Sequence, residues 1–416
     1  MKENGCNAHV LSSLDDIAWL LNIRGNDIAY CPLVLSYAIV YNNSVELFAD
    51  IRKFSDDIIN LLAVNHVKIY PYEDIYRKVS EMTSEDKLLL DSSIMNYSLY
   101  QSISKETVIV DKQNPEILMK SVKNETQAEN LRKAHLKDAV AHTKFMYWLK
   151  KNIGRVEITE LSASARLEGL RAEQEHFLGP SFGPISAYGE HGAIVHYSAD
   201  EKSNVPLKEG KLFMTDTGGH YLEGSTDITR TVALGEVGNL EKEHFTLVAR
   251  AMLRLANTVF LYGCSGANLD CIAREIFWKE GLNFNHGTGH GVGYLLNIHE
   301  GPINFRWKEG ERPAPALEEN MVITDEPGIY IEGSHGIRLE NELLVRKTVK
   351  NEYGQFMNFE ILTYVPIDLD AILPEKMSTE EKEMLNHYHK QVYEKVSPYL
   401  SEEERIWLKE YTRAVK

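Results

Sequence analysis

Acidic and imidazole side chains crowd into three short segments in the second half of this chain. DTGGHYLEGSTDITRT carries Asp216 and Asp227, HGTGHGVG carries His286 and His290, and DEPGIYIEGSHGIRLENE carries Glu326 and Glu340. Each has an ordinary explanation when taken alone. Two aspartates close in an acidic chain are usually solvated, and Glu340 could simply pair with Arg338, two residues earlier on the same face of a strand. The histidines are more telling, because the alternating glycines beside them let backbone approach a ligand without an intervening Cβ. That run fits neither G-x-G-x-x-G nor the P-loop, and no Glu follows His286 as H-E-x-x-H requires. Taken together, Asp216, Asp227, His290, Glu326 and Glu340 form an oxygen-rich donor set. Such a set suits manganese, magnesium or cobalt(II) rather than a zinc-thiolate site. Their charges would balance two divalent ions, and a pair held ~3.5–4 Å apart activates water and polarises a carbonyl. Hydrolysis is the reaction this composition favours. His196 in HGAIVHY, His286, and His299 in LNIHEGP are then candidates to bind substrate or stabilise an oxyanion.

These groups need elements to hold them. KLFMTDTGG, ITRTVALG, NMVITDEPGIYI and IRLENELLV read as strands, yet carry acids where strands disfavour Asp; either solvent or a cation must account for them. The spacing places Asp216 at one strand end and Asp227 in the next strand, joined by a glycine-rich connection of hairpin type. Glu326 falls at a strand end before Pro-Gly. A long helix is predicted from Asn124 to the stop at Gly154, with Leu131, His135, Phe145, Trp148 and Leu149 near helical spacing. A second is predicted over Asn268–Lys279, with Asn268 as N-cap and Gly281 as terminator. The first ~125 residues alternate β-rich runs such as AIVYNNSVELFAD with helical ones such as FSDDIINLLAV, the pattern of an α/β layer. From Ser378 onwards the chain reads as charged amphipathic helices.

Bulk properties narrow the class. At 416 residues more than one domain is expected. The 61 acidic and 45 basic residues leave a net charge of −16, which opposes binding to nucleic acid phosphates or an anionic membrane. Cys6, Cys31, Cys264 and Cys271 form no C-x-x-C pair, and the N-terminal MKENGCNAHV lacks the pattern of a signal peptide, so a cytoplasmic location is expected.

The three segments, in this order, resemble the pita-bread metallopeptidases, which include methionine aminopeptidase, prolidase and aminopeptidase P. HGAIVHY, HGTGHGVGYLLNIHEGP and DEPGIYIEGSHGIRLEN are most similar to the aminopeptidase P branch in its long cytosolic form. LSSLDDIAWLLNIRGNDIAYCPLVLSYAIV and NFEILTYVPIDLDAIL extend the resemblance over nearly the whole chain. It implies an α+β fold: a creatinase-N-like α/β domain over residues 1–124, a pita-bread catalytic domain over 125–352, and a C-terminal extension over 353–416. It also implies a further N-terminal domain in relatives, so that this chain is expected to be a fragment. The implied activity is release of an N-terminal residue preceding proline, by a hydroxide bridging two divalent ions, manganese first, with cobalt or zinc as alternatives. Asp216, Asp227, His290, Glu326 and Glu340 are the implied ligands, and Glu326 is also the general base. The implied catalytic roles of His286 and His299 are contacts to substrate carbonyls and the oxyanion. His196, His286, His299 and Arg338 are the implied substrate-binding residues, and the assembly a homodimer. A prolidase of the same fold, or a non-catalytic peptide-binding module, are the competing expectations; retention of all five ligands speaks against the module.

Overall fold

The computed structural model describes residues 1–308, 310 and 313–416. The chain divides into two compact units, Met1–Lys120 and Ser121–Lys416. The first is a six-stranded mixed sheet with strand order Val67–Tyr70, Val45–Ala49, Ser36–Tyr41, Ala8–Leu11, Lys87–Leu90 and Val108–Asp111. The central hairpin arises as its sequence suggests: Tyr41 and Val45 flank a tight turn, and Ala38 faces Leu47 across antiparallel strands. Helix Asp56–Val64 begins at Ser55, whose hydroxyl accepts from the Ile58 N–H and so satisfies one of the free amides of the first turn. Apolar residues fill both faces of the sheet, with Val10, Ile39 and Leu88 on one side and Leu11, Ala38 and Leu47 on the other.

The second unit opens with the long helix, Glu125–Asn152, which is locked at its start by a capping box between Asn124 and Gln127. Leu131, Phe145, Met146 and Leu149 are buried, as the spacing predicts. His135, Asp138 and His142 are buried as well, so the inner face of this helix is part apolar and part polar. The second predicted helix starts earlier than expected, at Gly266, and Asn268 is not its cap. Ser265 is the N-cap, and the Asn268 carboxamide returns from the third position to accept the Ser265 N–H at 2.8 Å. Periodicity located the helix, but an Asn can serve either end of a capping box, and apolar spacing alone does not choose between them.

Two sheets carry the chemistry-bearing segments. One is three-stranded, with Lys211–Thr217 between Ile228–Leu234 and Ile185–Tyr188. The predicted pairing is present, Asp216 standing opposite Thr229, but the connection is more than a turn. Gly219–Tyr221 and Gly224–Ser225 form their own hairpin in a separate small sheet before the chain returns. The other is six-stranded, in the order Phe260–Leu261, Gly354–Ile361, Asn341–Asn351, Val322–Asp325, Gly289–Val292 and His299–Phe305. A short hairpin, Gly328–Ile331 with His335–Arg338, links its middle strands. One continuous core that includes Phe145, Phe213, Phe245, Phe277 and Phe305 joins these elements, each ring contributing on the order of 2 kcal/mol by burial. The amphipathic C-terminal helices are Thr379–Val396 and Glu402–Tyr411. The first buries Leu385, Tyr388 and Val392.

Candidate metal centre

Asp216 ends one strand of the three-stranded sheet, and Asp227 immediately precedes its neighbour. His290 lies within the strand Gly289–Val292 of the six-stranded sheet. Glu326 follows Val322–Asp325, and Glu340 precedes Asn341–Asn351, at the paired ends where Asp325 faces Asn341. Four side chains from strand ends and one from within a strand therefore line one cavity of about 370 Å³, together with His196, His286, His299, Arg306 and Arg338. A larger cavity of about 680 Å³ lies in the first unit, but Leu20, Leu21, Ile23, Val34 and Leu62 dominate its walls and no histidine–carboxylate set faces it.

The glycines beside His290 serve close packing. A Cβ on Gly289 would collide with the Thr324 carbonyl, so the strand carrying His290 can lie against Val322–Asp325 only with glycine there.

Within the cavity, one ligand atom each from Asp227, His290 and Glu340 lie within 4.8 Å of one another. His290 Nε2 is 3.6 Å from Asp227 Oδ2 and 3.7 Å from Glu326 Oε1. Its Nδ1 donates to the Gly291 carbonyl at 2.9 Å, which fixes the tautomer and leaves the Nε2 lone pair facing the carboxylates. Asp216 and Asp227 each keep a buried Oδ1 without any hydrogen-bond partner. Burial pushes the carboxyls of Asp227 and Glu340 well above the usual range, and the neighbouring acids push them further: Asp216 and Glu326 act on both. Glu326 is raised by burial and Asp216, against the opposing pull of His290 and Arg338. Orphaned carboxylate oxygens packed against like charges are unfavourable unless a cation joins them. The donor set therefore fits divalent ions on its own chemistry.

Arg338 does not pair with Glu340, the ordinary alternative for that residue. Its Nη2 donates to Asp216 Oδ2 at 2.5 Å, and its Nη1 to the Tyr330 hydroxyl at 2.7 Å. Arg338 ends the hairpin strand and Glu340 lies beyond it, so the strand period linking them does not apply. Glu340 instead accepts from the Thr229 hydroxyl at 2.6 Å, and its N–H donates to the Thr229 carbonyl. His286 has both ring nitrogens engaged: Nδ1 donates to the Gly287 carbonyl at 2.7 Å and Nε2 accepts from Tyr330 at 2.8 Å. Burial, assisted by Arg338, lowers its pKa to about 3. His299 and His196 are exposed on the cavity wall. The His299 ring sits 4.3 Å, centroid to centroid, from that of His290. Partial burial and the neighbouring His290 lower the His299 pKa to about 4. His286 and His299 are thus neutral hydrogen-bonding groups at physiological pH.

Several supporting residues escape the sequence reading. Glu342 accepts the Asp227 N–H at 2.7 Å and lies 3.0 Å from His135 Nε2, with both side chains fully buried. Asp138 contacts the Thr226 hydroxyl and receives Arg171 Nε at 2.7 Å. Thr324 accepts the His290 N–H and reaches Glu326 Oε1 at 3.3 Å. Arg230, buried behind the site, donates to the Glu340 carbonyl at 2.6 Å and to the Tyr388 hydroxyl. A signal for Glu342 was present, since it follows Glu340 by two and directly precedes the apolar run Leu343, Leu344 and Val345. His135 offered none, because one histidine in an apolar stripe reads as core.

Comparison with known proteins gives the same picture at whole-chain scale. Residues 129–347 match Metallopeptidase family M24, residues 1–127 the Creatinase/Prolidase N-terminal domain, and residues 355–415 the C-terminal region of peptidase M24. Aminopeptidase P1 of Arabidopsis thaliana is 34% identical, the match spanning 100% of this chain and 72% of that one. Xaa-Pro aminopeptidase 2 of Sus scrofa is 37% identical over 97% of this chain and 61% of its own length. Among solved structures, the X-prolyl aminopeptidase of Caenorhabditis elegans, described as a cytosolic enzyme with a di-nuclear active site, superposes with a TM-score of 0.93. It is 34% identical, over 100% of this chain and 69% of that one. The prolidase of Pyrococcus horikoshii, at 24% identity and TM-score 0.69 over 89% of this chain and 97% of that one, shares the fold. With three family regions matched in order and relatives aligned over nearly all of its length, the chain belongs to metallopeptidase family M24.

Proposed function

We infer that this chain is a metal-dependent exopeptidase that hydrolyses the bond between an N-terminal residue and a following proline. The observation that carries this is the convergence of Asp227, His290 and Glu340 within 4.8 Å, flanked by Asp216 and Glu326, in a chain about a third identical throughout to Xaa-Pro aminopeptidases. Two divalent ions fit the donor set, and we assign Asp216, Asp227, His290, Glu326 and Glu340 as their ligands. Manganese is the ion proposed, because oxygen donors predominate and one imidazole completes the set.

When bound, the ions supply an activated water and a polarised scissile carbonyl. The remaining work falls to the chain. Glu326, on the cavity wall 3.7 Å from His290 Nε2, takes the proton from the attacking water. Arg338 holds one oxygen of Asp216, leaving the buried Oδ1 as its donor atom. His299 and His196, exposed on the cavity wall, donate to the substrate carbonyl and the oxyanion. His286 is proposed to act through Tyr330, whose hydroxyl it receives, since its other ring nitrogen is held by the Gly287 carbonyl. The acidic wall attracts the substrate's free amino group, which favours cleavage of the first bond only. A homodimer in the cytoplasm is the proposed setting; among the described residues no helix is long and apolar enough to cross a membrane.

The test is hydrolysis of an Xaa-Pro-Xaa peptide by metal-stripped protein after separate addition of manganese, cobalt, zinc or magnesium. Release of the first residue, largest with manganese, is expected. Cleavage of Gly-Pro but not of the longer peptide would replace the aminopeptidase reading with a dipeptidase one. No turnover with any ion would remove both.

A further inference from the structure

A second cavity, also of about 370 Å³, shares His290 and His299 with the carboxylate-lined one and is bounded by Glu300, Pro302, Ile303, Asn304 and Lys308. Arg306 is part of the wall of both. It follows the strand His299–Phe305 and is itself exposed. Its side chain lies across Gly287, whose added Cβ would stand 3.0 Å from the Arg306 Cγ and Nε. The glycine thus leaves room for a long side chain to lie flat along the wall. The other cations nearby are committed or set further out: Arg338 to Asp216 and Tyr330, and Lys308 over the Trp307 ring at 4.7 Å. Among the described residues Arg306 makes no ion pair with a carboxylate. An exposed guanidinium on the wall of a cavity is a ready receptor for a planar anion.

Charge is divided between the two cavities: Asp216, Asp227, Glu326 and Glu340 line the first alone, and Arg306 lines both. A peptide entering with its ammonium group inward brings a carboxylate to Arg306 only if that carboxylate follows closely after the scissile bond.

Resting on the aminopeptidase reading, we propose that Arg306 determines specificity by receiving a carboxylate one residue beyond proline. That carboxylate is either the free C-terminus of an Xaa-Pro-Xaa tripeptide or an acidic side chain at that position in a longer peptide. The favoured substrate class is thus short or acidic Xaa-Pro peptides, selected through binding rather than through the chemical step.

The experiment compares Ala-Pro-Ala, its C-terminal amide, and Ala-Pro-Glu amide as substrates for the manganese-loaded protein and for Arg306→Met and Arg306→Lys. The wild-type protein should prefer the free acid over the amide about fivefold in kcat/KM, the scale of an exposed ion pair, with the difference residing in KM. Arg306→Met should bring that ratio towards one, and Arg306→Lys should restore most of it. Faster cleavage of Ala-Pro-Glu amide than of Ala-Pro-Ala amide, again lost in Arg306→Met, would show that a side-chain carboxylate serves as well. An acid-to-amide ratio and a Glu-amide preference both unchanged in Arg306→Met would overturn the assignment while leaving the aminopeptidase reading intact. Failure of the wild-type protein to cleave any of the three would overturn both. Matching thermal midpoints for the variants exclude a folding defect, which an exposed side chain is not expected to cause.

Discussion

Replacing Glu340 by glutamine should stabilise the metal-free protein while abolishing its reaction. Glu340 is 2% exposed and shares the cluster of ligand atoms within 4.8 Å with Asp227. Two unit charges at that separation repel by about 3 kcal/mol at an effective dielectric near 20. Partial protonation already relieves some of this, as the raised proton affinities of Asp227 and Glu340 indicate. About 1–2 kcal/mol remains to be gained by a neutral isostere, a rise of roughly 2–6 °C in the melting temperature of stripped protein. The Thr229 hydroxyl can still donate to the glutamine oxygen, so the substitution leaves that hydrogen bond in place. In excess manganese the order must reverse: the wild-type protein gains about 2.7 kcal/mol at a metal concentration 100 times Kd, and the variant gains little. Calorimetry with and without chelator, beside a peptidase assay and metal analysis, checks all three. A variant that is less stable than wild type without metal, or that keeps full metal content and turnover, refutes the reasoning.

Three further outcomes follow from the same geometry. Because burial and mutual repulsion raise the carboxyls of Asp227, Glu326 and Glu340, the folded metal-free chain holds protons that the unfolded chain has released. That contribution is complete below the ordinary carboxylate range and is lost as pH rises through the raised values. Urea midpoints of stripped protein should therefore fall between pH 5 and pH 8, whereas saturating metal should flatten or invert the trend; a rise without metal contradicts it. Tyr330→Phe removes the donor to His286 and the acceptor of Arg338 and should lower kcat about tenfold, the scale of a charged hydrogen bond, with metal content unchanged by elemental analysis. Glu342→Gln weakens the support of Asp227 and the pairing with His135, and isothermal titration should show metal affinity lower by about 10- to 100-fold.

The ligand set was legible because its chemistry is local in type if not in position. Acids at strand ends and a histidine among glycines stand out against a strand's usual composition; Asp216 does lie on a strand paired with its neighbour, though Asp227, expected within that neighbour, stands just before it. The long helix was legible from its Asn124 cap and its period. What stayed hidden depends on contacts across the fold. Arg338 lies two residues from Glu340 yet bonds Asp216, because a strand ends between them and the period of two stops there. His135 and Asp138 share their helix face with Leu131 and Phe145, and only the approach of Glu342 and Thr226 from distant strands distinguishes support from core. The Asn268 error is of another kind, since both ends of a capping box accept the same residue.

The bond between Thr229 and Glu340 spans 111 positions in the chain, and that between Arg338 and Asp216 spans 122. Contacts of such long range form only after much loop-closure entropy has been lost. Few of the intended donors are neighbours in sequence, so the nascent or unfolded chain should hold ions weakly and without order. Metal cannot template this protein in the way that it templates a zinc finger. Ions join two sheets that have already met, and protein stripped by a chelator is accordingly expected to stay folded and to reload when ions return.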